Sequence, residues 1–204
     1  MERVYCLIIG YCFGMVLFAE IVAKALTGHG CARLGTGNPG MTNVMSQLGF
    51  RAGLAVLAGD IAKTAAACLI CYFIFPSVGR IAMFYAGFGA CIGHDFPIWR
   101  SGRGGKSVTT ACAAIIVFSP LWGTLSCIAG MFVVLATGYL PVGAVAITSV
   151  FVVLAFLFHG AEAGILAALL CLLMISRHYR GIVRVMRGEE PQKMKKFGKK
   201  KTGG

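Results

Sequence analysis

From Val108 to Met174 the chain is almost uninterrupted apolar sequence. A transmembrane helix needs roughly 17 to 25 residues to cross ~30 Å of hydrocarbon, so a run of this length has to cross a bilayer several times. Its breaks are Ser119-Pro120, the TGYLP of Thr137 to Pro141 and the HGAE of His159 to Glu162. They divide it into short segments at about 107–118, 121–137, 141–158 and 162–176. An even number of crossings returns the chain to the side it left.

The rest of the sequence follows the same plan. Only 13% of its 204 residues are charged and 58% are hydrophobic, against roughly 25% charged in soluble domains. Spans are expected at Val4 to Leu26, Arg51 to Phe75 and Ile81 to Ile98, with the PSVG turn and Arg80 between the last two. The chain therefore reads as an all-α membrane protein of about seven transmembrane helices. Residues 1–190 form a single integral-membrane domain in this reading, and 191–204 a polybasic tail. An N-terminus outside and a C-terminus in the cytoplasm place Arg33, Arg51, Arg100, Arg103, Lys106 and the Arg177–Arg187 cluster on one face, as the positive-inside tendency expects. Net charge is +12 and sits in loops and the tail. That distribution suits an anionic membrane surface, and no nucleic-acid partner is expected. The nine cysteines lie mostly in apolar runs and read as small packing residues.

Ionisable residues inside the spans stand out. Glu20 and Lys24 share a helix face near the end of the first span, where they can pair, snorkel or line a polar cavity. Asp60 and Lys63, one turn apart inside the second, read as a polar anchor facing the bundle interior. His94, close to a helix end, reads as a structural hydrogen-bonding group.

Three hydrophilic stretches remain. The first, GHGCARLGTGNPGMTNVMSQLGF from Gly28 to Phe50, is too long for a simple connector. The second, GRGGKSVTTA from Gly102 to Ala111, has the composition of a phosphate cradle. Gly104 and Gly105 free the backbone, Lys106 adds a mobile positive charge, and Ser107, Thr109 and Thr110 bring hydroxyls to the positive end of an apolar helix. The third, SRHYRGIVRVMRGEE, carries His178 among arginines spaced three or four apart on one helix face. If all three meet at one membrane face, they form a site for anions. Residue chemistry by itself stops at a membrane enzyme or transporter that handles phosphorylated compounds.

The same stretches carry a family resemblance. Thr36 to Ser46, TGNPGMTNVMS, is similar to the SGNxGATNVLR motif of the bacterial membrane acylphosphate:glycerol-3-phosphate acyltransferases, the PlsY family. GHDFP at 93–97 and GGKSVTT at 104–110 resemble that family's GHxFP and GGKGVAT, and RHYRGIVRVMRGEE at 177–190 resembles RHRENIKRLLxGxE. Asp60 and Lys63 match a DxxKG pattern. The resemblance implies acyl transfer from acyl phosphate to the 1-hydroxyl of glycerol 3-phosphate at the cytoplasmic face of a bacterial plasma membrane, giving lysophosphatidate and phosphate without metal or nucleotide cofactor. It implies catalytic roles for Lys106 and His178. Substrate-binding roles fall to Thr36, Gly37, Asn38, Gly40, Thr42, Asn43, Ser46, Gly104, Gly105, Ser107 and Thr109.

Several positions depart from the pattern. Ser46 stands where the family has arginine, Gly181 where it has asparagine, Thr36 for serine and Ser107 for the third glycine, while the usual GSIP of the first span reads GMVL from Gly14. Losing an arginine that binds phosphate removes a charge-assisted bond of about 1.5 to 3 kcal/mol. Glycerol 3-phosphate binding is expected to be weakened, and the same fold with a changed acyl acceptor, or a non-catalytic protein or transporter that keeps the anion loop, are the alternatives.

Overall fold

The computed structural model describes residues 1–192. Apart from Pro191 and Gln192, the polybasic tail lies outside the described residues. The described residues form helices joined by loops and turns and contain no strand. Met1 to Phe118 form one compact unit and the chain from Ser119 a second.

In the first unit, α1 (Glu2–Gly14) and α2 (Phe18–Thr27) follow the path expected of the first span, with a break between them. Leu17 is extended there, at φ −91° and ψ 98°. α3 (Met41–Leu48) lies within the segment 28–50 expected to be a loop. α4 (Phe50–Ile74), α5 (Ile81–Asp95) and α6 (Val108–Phe118) follow.

α1 and α5 run parallel and lie backbone to backbone. A Cβ at Gly10 would fall 1.9 Å from the Ala86 carbonyl oxygen, one at Gly14 2.2 Å from that of Ala90, and one at Gly93 2.1 Å from that of Tyr11. Small residues four apart on both helices permit this approach, which in lipid supplies the packing that hydrophobicity cannot. α4 runs antiparallel to them, placing Lys63 against the carbonyl of Gly14. α6 returns against α5, with Phe84 and Phe118 stacked at a centroid distance of 4.9 Å. The alternation sets both hydrophilic stretches of this unit, 28–49 and 96–107, at one end. Met1, Glu2 and the 75–80 turn lie at the other, where Ser77 hydrogen-bonds Glu2.

The second unit holds α7 (Pro120–Thr137) and α8 (Leu140–Met186). Pro120 opens α7 rather than kinking a longer helix, because its missing N–H costs nothing at a first turn. α8 is two helices meeting at Gly160, whose φ of 84° and ψ of 179° no helix can hold. Contacts of Gly164 with Phe156 and of Gly181 with Pro141 show the second half folding back along the first. Ser119 Oγ and His159 Nε2, 2.8 Å apart, tie the start of α7 to that turn.

The stretches 2–27, 50–74, 120–137 and 140–186 are long and apolar enough to cross a membrane, and α6 is a shorter apolar helix. The nine cysteines are all free.

Candidate functional site

At the hydrophilic end of the first unit, the segment 28–49 is folded around one side chain. Asn43, 4% exposed, accepts from the Thr36 amide through Oδ1 at 3.0 Å and donates from Nδ2 to the carbonyls of Leu34 and Asn38 at 2.9 and 3.0 Å. Gly35 and Gly37 take positive φ of 49° and 74°, which lets the chain curl about that amide. Asn43 is therefore committed to shaping the loop. Thr36, Thr42 and Ser46 are exposed, and Ser46 Oγ donates to the Asn43 carbonyl at 2.9 Å. Gly40 is the N-cap of α3.

The lysine turn is built against the end of α5. Gly105 N donates to the His94 carbonyl at 2.9 Å and Gly104 N to that of Asp95 at 3.1 Å. The glycine amides expected to face an anion are thus already used. What the glycines supply is clearance: a Cβ at Gly104 would lie 2.1 Å from the His94 carbonyl oxygen, and one at Gly105 2.1 Å from His94 Nε2. Ser107, at φ +42°, reverses the chain into α6 and donates its hydroxyl to Asp95 Oδ2 at 2.9 Å. The first N–H groups of α6 have no partner within the helix, and the half-buried Lys106 lies beside them. Thr109 is half-buried, and Thr110, wholly buried, carries a hydroxyl without a hydrogen-bond partner among the described residues.

Two polar assemblies hold these loops. Glu20, for which pairing with Lys24, snorkelling or lining a polar cavity were expected, is buried and binds Arg100 Nη1 at 2.8 Å and the Cys31 amide at 3.1 Å. Deeper in, Lys63 Nζ lies 2.8 Å from Asp60 Oδ1, 3.0 Å from His94 Nδ1, and 2.7 and 3.2 Å from the carbonyls of Val16 and Gly14 at the α1–α2 break. Glu20 and Asp60–Lys63 were visible in the sequence as charges in apolar helices. Their partners were not, because each lies more than ten residues away along the chain.

In the second unit, His178 is 4% exposed on the returning half of α8. It lies toward the end that carries Tyr139 and Pro141, where Gly181 packs on Pro141 and Gln192 Nε2 meets Tyr139 Oη at 3.2 Å. Arg184 pairs with Glu190 at 2.6 Å.

A family model described as glycerol-3-phosphate acyltransferase matches residues 4–188. The chain is 33% identical over 189 residues to glycerol-3-phosphate acyltransferase 1 of Lactobacillus johnsonii, covering 93% of this chain and 91% of that one. It is 31% identical over 191 residues to glycerol-3-phosphate acyltransferase of Thermoanaerobacter sp. strain X514, covering 93% and 95%. Among solved structures, the integral membrane glycerol 3-phosphate acyltransferase PlsY (YgiH) in its glycerol 3-phosphate form superposes with a TM-score of 0.82 at 26% identity, covering 94% of this chain and 95% of that one. Its lysophosphatidic acid form gives 0.81.

Proposed function

The chain belongs to the glycerol-3-phosphate acyltransferase family, and from that premise we propose that it transfers an acyl group from acyl phosphate to the 1-hydroxyl of glycerol 3-phosphate. The hydroxyl oxygen attacks the acyl carbonyl carbon, the bond from that carbon to the phosphate oxygen breaks, and the hydroxyl proton leaves with the phosphate. Lysophosphatidate and inorganic phosphate result.

The observation that carries this reading is the lysine turn. Its backbone is fixed against α5 by two amide hydrogen bonds, and it delivers Lys106 to the N-terminal end of α6. A positive side chain at a helix N-terminus stabilises charge that grows on a leaving phosphate. Thr109 and the first amides of α6 complete the binding of that phosphate. Gly104, Gly105 and Ser107 hold the turn's shape. Thr36, Gly37, Asn38, Gly40, Thr42 and Ser46 form the first-motif side of the substrate site, with Asn43 as its internal brace, and His178 serves glycerol 3-phosphate.

The protein is a bacterial plasma-membrane enzyme whose site faces the cytoplasm. Seven crossings are counted by taking α1 with α2 as one, then α4, α5, α6, α7 and the two halves of α8. A reporter fused after Arg187 reads cytoplasm under this topology and the outside under an even count.

Phosphate release by protein purified in detergent tests the reaction. Release from acyl phosphate that requires glycerol 3-phosphate supports the proposal, and release that requires another alcohol reassigns the acceptor. No release with any alcohol overturns catalysis. Lys106→Ala is expected to lower kcat by about 100- to 1000-fold, the usual cost of losing a charge-stabilising donor. Full activity in that variant removes Lys106 from the mechanism.

A further inference from the structure

Lys63 Nζ is ion-paired with Asp60 at 2.8 Å and surrounded by acceptors, the carbonyls of Val16 and Gly14, so it stands as the donor toward Nδ1 of His94, 3.0 Å away. The Asp60 carboxylate is 3.7 Å from the same nitrogen, too far to accept a proton from it. Nδ1 therefore accepts from Lys63, and the ring carries its proton on Nε2. The opposite edge of the imidazole, with Nε2, lies against Gly105, so closely that a Cβ there would be 2.1 Å away. The ring is 4% exposed.

Every element around the ring contributes to this arrangement. α4 supplies Asp60 and Lys63, and the α1–α2 break supplies the carbonyls of Gly14 and Val16, which help to hold Lys63 in place. α5 supplies the histidine itself and the carbonyls of His94 and Asp95, which bind the glycine amides.

We propose that Lys63 fixes His94 in its Nε2–H tautomer, and that His94 is thereby a positioning residue of the lysine turn, presenting a donor rather than a lone pair to the backbone that carries Lys106. A fixed donor on that edge holds the turn, and with it the start of α6, in one geometry toward the phosphate of the acyl donor. The role rests on the acyltransferase reading above.

Ring-15N-labelled protein in detergent tests the tautomer without turnover. The chain has four histidines, and the His94 signals are those lost in His94→Gln. A pyridine-type Nδ1 and a pyrrole-type Nε2 are expected, becoming mixed in the double variant Asp60→Asn/Lys63→Met, which removes both charges together. In steady state, that double variant and His94→Asn should raise KM for acyl phosphate about tenfold, the equivalent of one hydrogen bond, with KM for glycerol 3-phosphate unchanged. His94→Gln, whose amide nitrogen reaches the Nε2 position, should restore it. An Nδ1–H tautomer or a doubly protonated ring in the unaltered protein overturns the proposal, as does an unchanged KM for acyl phosphate in both variants. If the variants do not fold, the nitrogen shifts of the unaltered protein decide. An unaltered protein without turnover sinks the functional reading instead, and the shifts still judge the tautomer.

Discussion

Arg100 Nη1 lies 2.8 Å from Glu20 Oε1, and this ion pair straps the turn before the lysine loop to α2. The same carboxylate oxygen accepts from the Cys31 amide, so one buried acid holds both hydrophilic segments of the first unit. Trp99 Nε1 donating to the Met15 carbonyl at 2.9 Å and Tyr11 Oη donating to that of Phe96 at 2.8 Å fasten the same end. The arrangement depends on the break in the first span, since a continuous helix would keep the Met15 carbonyl for itself.

Removing the arginine strands the acid. Arg100→Ala is expected to cost about 3 kcal/mol, the scale for breaking one side of a buried pair, and Glu20→Gln/Arg100→Gln much less. Thermal unfolding in detergent measures both, and an unchanged midpoint in Arg100→Ala would show that the strap carries no stability.

Cys31 reports on the same strap. Burial, reinforced by the Glu20 carboxylate, pushes its thiol up to about 11. At pH 8 only about one molecule in a thousand carries the thiolate that alkylating reagents attack. Arg100 itself draws the thiol down, so its loss alone would not raise reactivity. Peptide mapping after maleimide treatment at pH 8 should find Cys31 unlabelled in the native protein and labelled in Arg100→Ala because the released loop exposes it. Equal labelling in the two proteins contradicts the assignment.

The α1–α5 contact makes a steric prediction. Because the Cβ of Gly10→Ala would fall 1.9 Å from a backbone oxygen, the helices must separate, at a cost of about 2 to 3 kcal/mol. Ile8→Ala, on the exposed side of the same helix, should stay within about 0.5 kcal/mol of the parent. Comparable unfolding temperatures for the two variants would refute the close packing.

The two main departures from the family motifs differ structurally. Ser46 is exposed, so Ser46→Arg has room, and it should lower KM for glycerol 3-phosphate by about 10- to 100-fold. Gly181 is buried, and its Cβ would meet Pro141 Cγ at 2.7 Å. Gly181→Asn should therefore lower the unfolding temperature without improving KM. Steady-state kinetics and thermal melts on both variants check the contrast.

Much of the helix plan was legible in sequence, because span length and apolar content are set by bilayer thickness and need no knowledge of neighbours. Segments expected at 121–137 and 141–158 appear as α7 and the first half of α8, and the HGAE break falls on Gly160. α3 was hidden in a stretch of glycine, proline and asparagine, where eight residues carry too little periodic pattern to read. The break at Met15 to Leu17 left no breaker residue to find. Its carbonyls are held by Lys63 and Trp99, both remote from it along the chain.

By itself, the sequence determined that this chain enters a membrane as helices, and that its polar chemistry is confined to three stretches matching one enzyme family. Local composition suffices for that, since hydrocarbon excludes unpaired backbone and charge wherever they occur. Only the tertiary structure decided which groups those stretches offer. It spends the glycine amides on α5, buries Glu20 against Arg100, and turns His94 so that Lys63 sets its proton. Hydrogen bonds and ion pairs are made by proximity in space, and proximity between residues 20 and 100, or 63 and 94, exists only once the helices have packed.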